Sequence, residues 1–80
     1  MSHAEQILEL TKQIKPLLAG KPAVVQSGAL ADLIAMWLAG HWIPGCPDET
    51  EQIRRDLFER YCELVIDLVE VNARELGTDV

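Results

Sequence analysis

Cysteine, aromatic residues and positive charge are all scarce in this chain, and each scarcity closes off a class of protein. Two cysteines, Cys46 and Cys62, allow at most one disulfide, so the 80 residues are not a stapled scaffold of the kind that small secreted domains use. Residues 1–6 carry no basic cluster followed by an apolar stretch, so no secretory signal is expected there and the setting is read as reducing and cytoplasmic. Seven bases stand against 13 acids, for a net charge of −6, which opposes attraction to phosphate backbones and anionic membranes. A helix-turn-helix DNA regulator is disfavoured on the same ground, there being no basic recognition helix. The longest weakly charged run, residues 28–43, is broken by Asp32 and His41 and is too short to cross a bilayer. Neither nucleic acid nor membrane is an expected partner.

Reactive constellations are equally thin. His41, Cys46, Asp48 and Cys62 are acceptable metal donors, but structural zinc sites pair closely spaced ligands and no such pair exists here. No metal and no cofactor is expected. A cysteine beside an apolar helical face behaves as a small hydrophobe, which is the reading for Cys62. The acidic row Glu59, Glu63, Asp67 and Glu70 lacks the Glu-x-x-His units of a di-iron bundle and is read as a solvated stripe. No catalytic residue is assigned, and the expectation is a protein that is not an enzyme. The one candidate pocket lies in the loop from His41 to Pro47, with His41, Trp42 and Cys46 as its residues.

What the sequence does contain is helix. Hydrophobic residues make up 49% of the chain, and their spacing predicts three helices in one domain, residues 1–80. Ser2 and Glu5 have the spacing of a capping box, and Ile7, Leu10, Ile14, Leu17 and Leu18 recur at helical steps until Gly20, with Pro16 threatening a kink. Pro22 suits the first turn of a second helix. In that helix Leu30, Leu33, Ile34, Trp37 and Leu38 form a bulky side, beside a smooth one of Gly28, Ala31, Ala35 and Ala39. Trp37 is expected in the core, Gly40 as a left-handed stop, and Trp42 either as a cover over the core at the helix end or as an anchor for a partner. Pro44-Gly45 reads as a turn, and Asp48 with Glu51 as the capping box of a third helix.

The third helix is the most informative. Residues 49–76 contain neither Gly nor Pro. Asp56, Glu59, Arg60, Glu63, Asp67, Glu70 and Arg74 occupy a narrow polar arc, and the apolar remainder covers about twice the ~100° that one core contact uses. Leu57, Tyr61, Leu64, Val65, Leu68, Val69 and Asn72 are therefore the candidate interface. Arg54 and Asn72 fall on the middle of that arc, either to set the register between helices or to reach water near the helix ends.

The resulting expectation is an all-α fold, a helical hairpin followed by a long C-terminal helix, packed as a helical-bundle oligomer. Its function would be that of a small noncatalytic interaction module forming a homodimer or higher homo-oligomer, with a possible further protein partner. The rival is a small ligand-binding or catalytic protein using the pocket near His41, Trp42 and Cys46.

Overall fold

The computed structural model describes residues 1–79 and contains three α-helices: α1 (His3–Leu18), α2 (Ala23–Ala39) and α3 (Pro47–Leu76). No strand occurs among the described residues. The chain divides into two units, Met1–Leu33 and the segment from Ile34 onward. The division falls inside α2, so its two halves are described with their own units.

In the first unit the expected capping box is present. Ser2 Oγ accepts the Glu5 backbone N–H at 3.1 Å, and the Glu5 carboxylate accepts the Ser2 N–H at 3.4 Å. Pro16 does not end α1, which continues to Leu18. Pro16 stands only two residues before that end, so the backbone bond it removes belongs to the last turn. Gly20, at φ +75°, turns the chain out of the helix. Pro22 lies just before α2 rather than in its first turn, and its carbonyl accepts from Val25 and Gln26. The Gln26 side chain then donates to the Leu18 carbonyl at 2.8 Å, a second bond to an acceptor at the end of α1 that also takes the Lys21 N–H at 3.2 Å. Only Ile14, Leu18 and Gln26 of this unit are even half-buried.

The second unit pairs the end of α2 with the start of α3. Ile34 and Leu38 are half-buried on α2, and Leu57, Tyr61 and Cys62 on α3. Trp37 lies with its ring centroid 5.8 Å from that of Tyr61, yet it is 46% exposed and not the core residue expected. The reason is depth. Two helices meeting along one short line cover only the inner edge of a side chain as large as indole. Among the described residues no hydrophobic side chain is buried, and Thr50 is the single buried residue.

α3, 30 residues long, extends about 45 Å at 1.5 Å per residue. It starts differently from the expected Asp48 cap. Cys46 holds the cap position without a side-chain hydrogen bond, and Pro47 takes the first helical position, where its missing N–H costs nothing. Asp48 and Glu49 fall inside the first turn, where they face the positive end of the helix dipole. At the other end Gly77, at φ +73°, stops the helix as expected. Glu51 pairs with Arg55 at 2.7 Å near the start of α3, and on the polar arc Glu70 pairs with Arg74 at 2.6 Å. Asp56 instead accepts from Gln52 at 2.8 Å.

Candidate functional site

The junction between α2 and α3 gathers side-chain hydrogen bonds from His41, Thr50 and Arg54. A helix leaves its last four carbonyls without intrahelical donors, and at the end of α2 each of these four is met. The Met36 carbonyl accepts from Gly40 N–H, and the Leu38 carbonyl from His41 N–H, both at 3.0 Å. The Trp37 carbonyl lies 2.8 Å from His41 Nδ1. A carbonyl carries no proton, so Nδ1–H is the donor and Nε2 is the free ring nitrogen. The Ala39 carbonyl accepts from Arg54 Nη2 at 2.9 Å, while Arg54 Nε donates to the His41 carbonyl at 3.0 Å. The guanidinium thus seats a positive charge at the negative end of the α2 dipole.

This closure replaces two sequence expectations. Gly40 is not a left-handed stop, since the positive-φ glycines are Gly20, Gly45 and Gly77. Trp42 does not cover the helix end and is 67% exposed. Polar side chains from His41 and α3 satisfy the terminus directly, leaving the indole nothing to close over. Arg54, assigned to helix register or to water, bonds instead to the backbone of the preceding helix.

Thr50 fixes the loop itself. Its hydroxyl accepts the Ile43 N–H at 3.0 Å and donates to the Ile43 carbonyl at 3.2 Å. Between them Pro44-Gly45 makes the expected turn, with Gly45 at φ +75° and Cys46 N–H donating to the Ile43 carbonyl at 3.1 Å, the arrangement a type II turn requires. Sequence reasoning missed Thr50. The available signal was its step with Arg54, Leu57 and Tyr61, at intervals of four, three and four residues along one line of α3.

An open recess of about 530 Å³ adjoins this loop, lined by Trp42, Ile43, Cys46, Thr50, Glu51 and Arg54 among others. Of the three residues expected to form a pocket, Trp42 and Cys46 line it and His41 does not. Three of its polar side chains are already engaged: Thr50 with Ile43, Arg54 with Ala39 and His41, Glu51 with Arg55. Both cysteines are free thiols. Among the described residues no three His, Cys, Asp or Glu side chains gather as a metal site would need.

The broad apolar arc of α3 resolves into two parallel stripes. The first carries Thr50, Arg54, Leu57 and Tyr61, all buried or half-buried against the end of α2 or its loop, and continues through Leu64 and Leu68. The second runs beside it through Phe58, Cys62, Val65, Val69, Asn72 and Leu76, with the same alternation of four and three residues. Of the expected interface residues, Leu57 and Tyr61 are thus half-buried within the unit. Leu64 (54%), Val65 (38%), Leu68 (48%) and Val69 (60%) are exposed. Asn72 is exposed as well, and its Nδ2 donates to its own helix at the Leu68 carbonyl, 2.8 Å away. A shallow hollow of about 350 Å³ follows this face, lined by Val65, Leu68, Val69 and Leu76 among others.

No protein family, curated protein or solved structure matches this chain. No described helix is long and apolar enough to cross a membrane.

Proposed function

We propose that this protein is a noncatalytic interaction module that associates with itself through α3, copies packing as a helical bundle. The observation that carries this reading is the exposure of Leu64, Val65, Leu68 and Val69 on one continuous face of a regular helix. Apolar patches of that extent on soluble chains mark contact sites, and burying them on a second chain supplies stability that an 80-residue chain lacks alone. The two free thiols accord with work in a reducing, cytoplasmic compartment.

The rival reading, a ligand or catalytic pocket at the α2–α3 loop, draws support only from the exposed Trp42 beside the recess. Recognition needs convergent polar groups free to meet a ligand, and Thr50, Glu51 and Arg54 of this recess already bond within the chain.

Sedimentation equilibrium over a range of concentrations tests the proposal. The mass should rise with concentration to a dimer or above, and Leu68→Asp should return it to the monomer with helicity retained, because position 68 is exposed in the single chain. A concentration-independent monomer would refute it.

A further inference from the structure

The two stripes of α3 are not equivalent, and the difference specifies how a second copy sits. The first stripe is taken over its leading half by the end of α2: Tyr61 meets Trp37, Arg54 meets Ala39 and His41, and Thr50 meets Ile43. The second stripe is half-buried only at Cys62, beside the end of α2; its other residues meet no such partner. Phe58 is 47% exposed, Val65 38%, Val69 60% and Leu76 77%. The stripe is bounded at one end by the Glu51–Arg55 ion pair and at the other by the Gly77 stop.

We infer that the second stripe of α3 receives the same stripe of a second copy of this chain, parallel and in register. This rests on the self-association proposed above and adds which residues meet and in which direction.

Three observations select the occupant. The first is area. The chain leaves 6867 Å² accessible, about 2,000 Å² above the ~4,800 Å² expected of a chain of its 8.9 kDa mass that closes its own core. A standard interface takes about 800 Å² from each partner, less than that surplus, to which the largely exposed unit Met1–Leu33 also contributes. The second is charge. From Phe58 to Leu76 the stripe holds no ionised residue, so a charged partner segment has nothing there to pair with. The acids Glu59, Glu63, Asp67 and Glu70 lie on the polar arc, whose middle is roughly 140° round the helix from the stripe, and two copies meeting along the stripe keep these like charges apart.

The third is Asn72, the one polar layer in the stripe. Its amide uses one N–H on Leu68 and retains a second N–H and its carbonyl oxygen. In a parallel, in-register pair Asn72 faces its own counterpart and donor meets acceptor. Reversing one helix with full overlap sets Asn72 against Cys62 and buries the amide's second N–H and carbonyl oxygen against a thiol, a weak partner, which is a costly arrangement. A single asparagine in an apolar seam fixes register and direction by this means.

Cys62 supplies the test. In the parallel pair it lies across from its counterpart, whereas in the reversed pair the two Cys62 positions are about 15 Å apart along the axis, ten residues at 1.5 Å each. A disulfide closes only when the Cα atoms are within about 7 Å. The full chain carrying Cys46→Ser is first sedimented reduced, to establish association, then treated with diamide, which takes up two electrons and two protons as two thiols join. Near-complete conversion to a covalent dimer with helicity unchanged is expected. The same chain with Cys46→Ser, Cys62→Ser and Glu63→Cys, whose thiol stands on the polar arc, should remain uncrosslinked. Association without a Cys62 crosslink, or equal crosslinking at position 63, overturns the parallel seam while leaving self-association intact. A monomer at every concentration overturns both.

Discussion

Arg54 donates from Nε to the carbonyl of His41, thirteen residues earlier in the chain, at 3.0 Å. With its second bond to Ala39, this contact joins the end of one helix to the side of the next by charge-assisted hydrogen bonds to backbone. Removing it leaves two carbonyls without donors at the negative end of a helix dipole. Arg54→Ala is expected to lower stability by about 1.5–3 kcal/mol, the range for hydrogen bonds to a charged group. Arg54→Lys should recover only part, because an ammonium cannot reproduce the planar fork. Urea unfolding of the three proteins measures both differences.

Thr50 and Asp48 make a paired comparison. Thr50→Val keeps the shape of a buried side chain and deletes both bonds to Ile43, at an expected cost of about 1–3 kcal/mol for the Ile43 N–H left without a partner. Asp48→Ala should cost less, about 0.3–1 kcal/mol, since Asp48 acts on the dipole from within the first turn and caps nothing. Equal costs from the two substitutions in chemical denaturation would contradict the observed start of α3.

Trp42 and His41 should reverse the order that their sizes suggest. Trp42→Ala removes a side chain that is 67% exposed and should change stability by no more than about 0.5 kcal/mol in the isolated chain. His41→Ala deletes the Nδ1–H bond to the Trp37 carbonyl and the edge-on contact with the Trp37 indole, whose centroid is 5.1 Å away, and should cost about 0.5–1.5 kcal/mol. Thermal unfolding at a low protein concentration, where association does not contribute, separates the two.

Asn72→Leu should strengthen association and loosen its specificity. A leucine adds apolar area to the seam but removes the layer that distinguishes one register from its alternatives. Sedimentation is expected to show tighter assembly than the unsubstituted chain forms, with species larger than its own assembly appearing. Weaker assembly would show that Asn72 does not face the contact.

The helices and their punctuation were legible along the chain because they depend on neighbours within a turn or two. The Ser2–Glu5 box, the Pro44-Gly45 turn and the Gly77 stop each need only local geometry, and the apolar arc of α3 follows from 3.6-residue periodicity. The junction was not legible. Arg54 and Thr50 find their partners thirteen to fifteen and seven residues away, and a helical wheel places them on a line of α3 without saying which backbone lies opposite. For the same reason the sequence established that the α3 arc is too wide for one contact, and only the tertiary structure divided it, because burial is decided by the surface a neighbouring segment covers. The end of α2 covers the leading half of the first stripe, and the second stripe, half-buried Cys62 apart, is left exposed.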